Sequence, residues 1–302
     1  MLVVWALVLL TAVLIAVVRS RRARRVPAAL PASEPARGTE DVSAPSTALV
    51  LAPRPRREPV IVFVHGFAGF GELRFGPARA SYFRGVGARL SSMGIRAAFA
   101  ELPAVGPLAA RGAALARFLD ELGDVDVHLV GHSMGGLDAR WVAKNASPTN
   151  LRTLVTIATP HRGTPLADLG TLLVPRRTSL FLGSLAGGVA DLSRTHLGTV
   201  DSSPLPGLTC ASVIVAPAAG RLGVRPILRP THRLIEALDG ENDGIVPVHS
   251  QSFGDVLGRV DSDHCGVLGW TKGFDAPAFY GALAASILDG RPALLGPAQL
   301  TA

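Results

Sequence analysis

The sequence predicts an α/β fold, with a mostly parallel central sheet and helices on both of its faces. Short, unbroken apolar runs rich in β-branched residues recur along the chain, and such runs are typical of strands buried on both faces. Between them lie segments whose apolar residues recur at helical spacing. Strands that alternate with helices in this way build a parallel sheet covered on both sides.

Five runs are predicted to form the strands of this sheet, and they occupy 60–66 (VIVFVHG), 95–102, 125–131 (VDVHLVG), 151–159 and 209–217. The segment VLGRV at 256–260 is a sixth candidate. Apolar spacing predicts helices over Tyr82–Met93 and Leu108–Leu122, and a last helix over 276–290.

Composition and charge narrow the class of protein. The 302 residues suffice for one large domain or two small ones, and the hydrophobic content of 48% fits a well-buried core. The net charge of +7 comes mostly from residues 1–58, which hold nine arginines and four acidic residues. No basic stripe interleaved with aromatic residues is present, so nucleic-acid binding is not expected. Cys210 and Cys265 form no metal-binding pattern and require no disulfide.

The N-terminus predicts a membrane anchor over residues 1–25. Leu2–Val18 is apolar apart from Thr11, spans about 26 Å as a helix, and is followed directly by RSRRARR. A secretory signal carries its positive charges before the apolar run, so a cleaved signal is the second interpretation. The arginines favour a folded domain on the cytoplasmic side, with a periplasmic or secreted domain as the alternative. Residues 26–59, rich in Pro and Ala, are predicted to be a linker to this domain, which covers 60–302.

The segment GHSMGG at 131–136 contains a G-x-S-x-G motif. A predicted buried strand ends at Gly131 and a helical pattern begins near Gly135, so Ser133 is expected on the sharp turn between them. This context is that of the nucleophile elbow of α/β-hydrolases, and it predicts that Ser133 is a nucleophile. Asp138, on the first turns of the following helix, is expected to favour the helix dipole or to pair with a neighbouring Arg.

In the α/β-hydrolase fold, the catalytic residues occur along the chain in the order serine, acid, histidine. The histidine that acts as general base should therefore follow both Ser133 and the acid. Five of the eight histidines come too early in the chain for that order, namely His65, His128, His132, His161 and His196. His249 and His264 remain, with His232 as a third. His264 lies in a loop between a strand candidate and the last helix, where its ring can reach over the strand ends, so it is predicted to be the base. His249 is only six residues after Asp243, the acid predicted below, and is expected to be a surface or helix-cap residue.

The acid is predicted to be Asp243, in a D-G turn before the apolar IVPV. A carboxylate there can accept a hydrogen bond from the imidazole and fix its tautomer. Asp239 and Glu241 are nearby alternatives, both expected to be solvated. Asp261 and Asp263 are close to the predicted base in the same loop and are expected to shape its turn.

An oxyanion hole needs two backbone N–H groups. One is expected from the residue after the nucleophile, Met134, and the other from the loop HGFAGFG after the first strand. Gly66 lets that backbone turn, and the N–H of Phe67 is the expected donor.

Taken together, these segments resemble the bacterial triacylglycerol lipases of the Pseudomonas and Burkholderia type. The matching stretches are VFVHGFAGFG, LVGHSMGGLDARWVA, VTIATPHRGTPLAD and ENDGIVPVHS, with a looser match at DSDHCGV. They cover roughly Val60–Val267, and TPHRGTPLAD is the most discriminating of them. The resemblance implies an α/β-hydrolase fold with Ser133 as nucleophile, Asp243 as acid and His264 as base. It also implies that Phe67 and Met134 are the oxyanion donors.

Two features of that family do not carry over. Its members bind a structural calcium through an aspartate two residues after the catalytic His, and Gly266 occupies that position here. Some members also form a disulfide from a Cys shortly after the catalytic Asp, where this chain reads PVHSQSFG. No cofactor or metal is therefore expected, and EGTA should leave activity unchanged.

Residues 164–204 are predicted to form a helical lid or cap. Leu166, Leu169, Leu172 and Leu173 lie near one helical face. An amphipathic lid would turn this face towards lipid, whereas an ordinary cap would keep it packed on the core, and both interpretations stay open.

The predicted function is hydrolysis of carboxylic esters, with lipid esters as the expected substrates. Another acyl-transfer reaction on the same triad, as in a phospholipase, thioesterase or acyltransferase, is the first alternative. An inactive hydrolase fold that serves as a membrane scaffold is the second. The sequence leaves the oligomeric state open.

Overall fold

The computed structural model describes residues 58–69, 72–75, 78–173, 180–199, 203–218, 223–271 and 273–293. The chain divides into two units, Met1–Arg56 and Arg57–Ala302, and every described residue belongs to the second. The predicted anchor and almost all of the predicted linker therefore lie outside the described residues. Within the described ranges, no helix is long and apolar enough to span a membrane.

Six strands form the central sheet, and all neighbouring pairs in it are parallel. Numbered along the chain, they lie side by side in the order β4 (Ala97–Ala100), β1 (Val60–Val64), β5 (Val127–His132), β6 (Leu151–Ile157), β7 (Thr209–Val215) and β8 (Asp255–Val260). β1 and β5 are buried along their whole length, as expected for apolar runs covered on both faces. The predicted fold class is confirmed.

The described helices are α1 (Val86–Ser92), α2 (Leu108–Leu122), α3 (Met134–Asn145), α4 (Pro165–Leu173), α5 (Leu180–Asp191), α6 (Arg194–Leu197), α7 (Arg229–Asp239) and α8 (Ala276–Leu288). Ile61 and Phe63 of β1 join a core cluster with residues of α1 and α8. Val60, Val62 and Val64, which alternate with them, join a second cluster with residues of α2 and α3. Because successive side chains of a strand point to opposite faces, these clusters are the two layers that cover the sheet.

The helix predicted over Tyr82–Met93 is shorter than expected. Gly85 has a left-handed backbone with φ of 73°, and α1 begins only after it, at Val86. Tyr82 and Phe83 precede the helix, yet Phe83 is fully buried in the same cluster as Val86. The prediction of the helix start was wrong because these side chains share a core without sharing a helix.

An antiparallel hairpin, β2 (Glu72–Phe75) and β3 (Ala78–Ser81), lies between β1 and α1 and was not predicted. The two strands read ELRF and ARAS, so apolar and polar residues alternate in both, and neither contains a continuous apolar run. The pattern that identifies buried strands is therefore absent from this hairpin.

β8 forms one edge of the main sheet. Its pairing with β7 changes register, since Ser212 pairs with Val256 while Val213 pairs with Gly258. Leu257 is thus an extra residue on the edge strand, which makes a β-bulge. On both sides of the bulge, most residues of β8 are exposed or half-buried.

The helices α4, α5 and α6 follow β6 and precede β7 in the chain, and they occupy the predicted lid or cap of 164–204. The C-terminal half of α5 packs tightly on the core. The carboxylate of Asp191 accepts a hydrogen bond of 2.6 Å from the N–H of Leu108, at the start of α2. A Cβ built on Gly188 would lie 2.6 Å from the carbonyl oxygen of Gly106. These contacts hold that end of the cap against the sheet domain, and movement of the rest as a lid stays a hypothesis.

Candidate active site

Ser133 occupies the turn between β5 and α3, in a backbone conformation that residues other than glycine rarely adopt. Its φ is 55° and its ψ is −130°, and such a conformation costs about 1–3 kcal/mol. Two glycines permit the turn. A Cβ on Gly131 would lie 2.5 Å from the Cα of Gly136, and a Cβ on Gly135 would overlap the carbonyl of Val64. The strands and the helix approach each other this closely because both positions lack a side chain.

The structure brings Ser133, His264 and Asp243 into one chain of hydrogen bonds. His264 Nε2 lies 3.0 Å from Ser133 Oγ, and His264 Nδ1 lies 2.7 Å from Asp243 Oδ2. All three side chains are buried, Asp243 completely. The arrangement has the geometry in which a base can take a proton from a serine hydroxyl while a carboxylate fixes the ring.

Asp243 is held by more than its contact with the imidazole. Its Oδ1 accepts hydrogen bonds from the N–H groups of Ile245 and Val246, at 2.9 and 2.7 Å. Its backbone carbonyl accepts a bond of 2.9 Å from the N–H of His264. The side chain of Gln251 is fully buried and bridges β7 to the acid loop through Val246. Sequence reasoning missed Gln251, whose only signal was a polar residue beside the predicted acid segment.

The alternative acids have other partners. Asp239 lies 3.1 Å from His249 and 3.6 Å from Arg194. Glu241 forms a paired contact with Arg259 at the surface, and this hydrogen bonding lowers the pKa of Glu241. His249 is accordingly a half-exposed partner of a carboxylate and lies away from the Ser133 site.

Two aspartates shape the loop that carries His264. Asp261 accepts a hydrogen bond of 2.7 Å from the N–H of Ala218. Asp263 is buried, and its two oxygens accept bonds from the N–H groups of Gly266 and Arg225, at 2.6 and 2.8 Å. Asp263 thus shapes the turn as predicted, whereas the contact of Asp261 ties the loop to the segment after β7. Among the described residues, no group of three or more His, Cys, Asp or Glu side chains could hold a metal ion, and calcium independence stays a prediction.

The two expected oxyanion donors have amide groups without an internal acceptor. Within the described part of the chain, neither the N–H of Phe67 nor that of Met134 makes a hydrogen bond to the protein. Met134 is the first residue of α3, where the N–H groups of a helix are unpaired. Gly66 brings the other loop close to the elbow, since a Cβ on Gly66 would lie 2.8 Å from Ser133 Cβ.

The loop that carries Phe67 is braced from behind. His65 Nε2 accepts the N–H of Leu102 at 3.2 Å, so its Nδ1–H donates to the carbonyl of Gly66 at 2.9 Å. Arg111 donates to the carbonyl of His65 at 2.8 Å and to Asp138 at 2.6 Å. Burial raises the pKa of Asp138 to about 6, although Arg111 acts to lower it.

The partner expected for Asp138 was a neighbouring Arg, whereas the observed partner is Arg111, from α2. Both side chains are fully buried. Arg111 was not singled out in the sequence, where its signal is one arginine on the otherwise apolar buried face of α2.

Two further histidines are buried and neutral. His132 points away from Ser133, with Nδ1 2.9 Å from the hydroxyl of Tyr82 and Nε2 3.1 Å from the carbonyl oxygen of His264. His161, in the TPHRG segment, lies 3.0 Å from the hydroxyl of Thr156 through Nε2. Burial lowers the pKa of each ring well below its usual range.

Comparisons with known proteins support the same fold. A family model described as alpha/beta hydrolase fold matches residues 107–204. The chain is 28% identical over 206 residues to triacylglycerol lipase 2 of Saccharomyces cerevisiae. The aligned region covers 63% of this chain and 62% of that protein. It is 37% identical over 120 residues to a triacylglycerol lipase of Burkholderia plantarii, and the aligned region covers 37% of this chain and 32% of that protein. The chain thus spans less than two thirds of the length of these curated relatives.

A solved structure shows the same fold. The carboxyl esterase MGS0156, from a metagenome, superposes with a TM-score of 0.63 at 19% identity, over 76% of this chain and 75% of that chain. With its six parallel strands and its serine on a strained turn after β5, the chain has the α/β-hydrolase fold. Its curated relatives are triacylglycerol lipases, and the predicted resemblance to the bacterial lipase family is confirmed.

The free energy of unfolding is expected to decrease when the pH falls from neutral towards about 5. The folded-state pKa values of His132 and His161 lie well below 6.5 because both rings are buried, so the unfolded chain binds protons that the folded protein does not. The stabilisation by the two neutral buried rings is complete above pH 6.5 and is lost below it. The free energy of unfolding then falls by up to about 1.4 kcal/mol per pH unit for each ring. Asp138 acts in the opposite direction, because its folded-state pKa is raised from 3.8 to about 6.

Urea unfolding at several pH values measures this slope. His161→Gln removes one of the two rings, so the slope of its unfolding free energy should be shallower by about one proton. Tyr280→Phe is the control, since burial raises the pKa of Tyr280 far above this range. A His161→Gln variant with the slope of the parent protein would contradict the prediction.

Proposed function

We propose that the protein is a serine hydrolase that cleaves carboxylic esters through an acyl-enzyme. The observation that carries this proposal is the hydrogen-bonded chain from Ser133 through His264 to Asp243, with steps of 3.0 and 2.7 Å, at a strained strand-to-helix turn. A serine hydroxyl is a weak nucleophile until an adjacent base accepts its proton. The names of the curated relatives, triacylglycerol lipases, support the same class of reaction.

The first half of the reaction acylates the serine. Ser133 Oγ attacks the ester carbonyl carbon, and its proton passes to Nε2 of His264. Asp243 accepts the Nδ1–H of the ring, which keeps Nε2 free to act as the base and stabilises the imidazolium that forms. The carbonyl oxygen becomes an oxyanion that the N–H groups of Phe67 and Met134 stabilise, and one such donor contributes roughly 3–4 kcal/mol.

The tetrahedral intermediate then collapses. The bond between the carbonyl carbon and the alkoxy oxygen breaks, and His264 gives its proton to the leaving alcohol. Water enters, loses a proton to His264 and attacks the acyl carbon. The second intermediate releases the carboxylic acid, and the proton returns to Ser133 Oγ.

Lipid esters are the proposed substrates. The names of the curated relatives point to acylglycerols. Apolar side chains are also exposed to water at the cap and beside it. Leu172 of α4, in the cap, is 81% exposed, and Leu238 of α7, outside the cap, is 53% exposed. Both line a groove of about 810 Å³ next to the cap, and exposed apolar surface of this kind favours contact with lipid.

The competing acyl-transfer activities differ in the leaving group. Rates with p-nitrophenyl esters of increasing chain length, with a phospholipid and with an acyl thioester distinguish an esterase from a phospholipase or thioesterase. Hydrolysis that is fastest with a phospholipid or thioester would replace the proposed substrate class. Absence of turnover with every substrate would favour the inactive scaffold.

Ser133→Ala is expected to abolish labelling by a fluorophosphonate probe and to lower kcat by roughly 10⁴ or more. Ser133→Gly should be equally inactive, yet glycine tolerates φ of 55° without strain. Its free energy of unfolding should therefore exceed that of Ser133→Ala by up to about 1 kcal/mol. Gel fluorescence, ester hydrolysis and urea unfolding measure the three effects. Labelling of Ser133→Ala at the rate of the parent protein would exclude Ser133 as the nucleophile.

Asp243→Asn is expected to lower kcat by about 10⁴, because the amide favours the wrong tautomer of His264. The matched controls are Asp239→Asn and Glu241→Gln, which lose only contacts to His249, Arg194 and Arg259. Their kcat values should stay close to that of the parent protein. If Asp239→Asn is the inactive variant, the assignment of the acid is wrong.

We also propose that Leu2–Val18 anchors the protein in a membrane, with the catalytic domain on the cytoplasmic side. The support is the apolar run and the arginines after it, since a helix satisfies its own backbone hydrogen bonds in lipid and arginines resist translocation. The full chain should stay in the membrane pellet after carbonate washing, and protease added to intact spheroplasts should not cleave the domain. Recovery of a soluble protein lacking the apolar run would instead identify a cleaved signal.

A further inference from the structure

Tyr82 and His132 connect the two sides of the site. The hydroxyl of Tyr82 lies 3.2 Å from the N–H of Gly66 and 2.9 Å from Nδ1 of His132. Nε2 of His132 lies 3.1 Å from the carbonyl oxygen of His264. The contacts therefore run from the loop that holds Phe67, through the residue before Ser133, to the backbone of the proposed base.

The chemistry of the two ends fixes the direction of every bond in this chain. The N–H of Gly66 can only donate, and the carbonyl of His264 can only accept. His132 must therefore carry its proton on Nε2, which leaves Nδ1 of the neutral ring as an acceptor. Tyr82 then donates its hydroxyl proton to Nδ1 and accepts from Gly66. Burial lowers the pKa of His132, which favours the neutral ring that this pattern needs.

We propose that Tyr82 and His132 are positioning residues, which hold the oxyanion loop and the backbone of His264 in register with Ser133 through this one-way chain of hydrogen bonds. The proposal rests on the proposed function. The backbone groups that the chain binds adjoin the reacting atoms, since Gly66 passes beside Ser133 Cβ and precedes Phe67. A small displacement of either group misaligns the base or the oxyanion donor, which affects the rate more than the binding of substrate.

Tyr280 shows that packing alone does not account for the hydroxyl of Tyr82. Both rings make edge contacts with Phe83, at centroid distances of 5.2 and 5.5 Å. The hydroxyl of Tyr280 is buried and has no hydrogen-bond partner among the described residues. The aromatic cluster therefore accommodates a tyrosine whose hydroxyl is unused, whereas the hydroxyl of Tyr82 binds two segments of the site.

The test compares Tyr82→Phe with Tyr280→Phe, which are the same chemical change in neighbouring rings. Tyr82→Phe is expected to lower kcat by about tenfold to a hundredfold while KM changes little. Tyr280→Phe should keep the kcat of the parent protein and an equal or higher melting temperature. Equal kcat values for Tyr82→Phe and the parent protein, or equal losses in the two variants, would overturn the proposal.

A second pair of variants tests the half of the hydrogen-bond chain that His132 forms. These variants also provide the test if Tyr82→Phe does not fold. The amide N–H of His132→Gln can reach the carbonyl of His264, whereas His132→Leu has no donor. We expect the glutamine variant to keep a kcat about tenfold above that of the leucine variant. Equal kcat values would overturn the proposal.

The esterase activity of Ser133→Ala distinguishes failure of this proposal from failure of the proposed function. If Ser133→Ala is inactive while both variant pairs show no difference, the positioning proposal is wrong and the proposed function stands. If Ser133→Ala retains full activity, both are wrong.

Discussion

The close contact of β1, β5 and α3 around Ser133 is the constraint on which the site depends. Gly131 and Gly135 allow this contact, and it forces Ser133 into its left-handed conformation. The same contact places the start of α3 beside the loop after β1, so that Gly66 lies against the serine side chain. The elbow therefore sets the position of the proposed nucleophile and of both expected oxyanion donors at once.

Asp243 and His264 reach this point because parallel strands present their carboxyl ends at one edge of the sheet. Asp243 follows β7 and α7, and His264 follows β8 by a few residues. Loops after the strands of an open parallel sheet converge there, whatever their separation in sequence. The buried pair of Arg111 and Asp138 adds a brace beneath the site, and removing one partner of such a pair typically costs about 3–5 kcal/mol.

The parts of the site that sequence could predict are those with a local signature. Ser133 carries its own motif, and Asp243 and His264 follow in the order of strands that the apolar runs reveal. Tyr82 and Arg111 left no such signature, because each acts on a segment that is distant in the chain. The helical spacing around Tyr82 even misled the prediction of α1, since a residue of the site and residues of a helix share one apolar cluster.

The edge strand β8 bears on how the protein behaves at high concentration. An open sheet offers unpaired backbone groups at its edges, and a flat edge can pair with the edge of a second molecule. In β8 the bulge at Leu257 twists the strand and interrupts its ladder. Asp255 and Arg259 add exposed charges on either side of it. These features oppose the growth of intermolecular sheet from this edge, so β8 can stay unpaired on its outer side without becoming a template for aggregation.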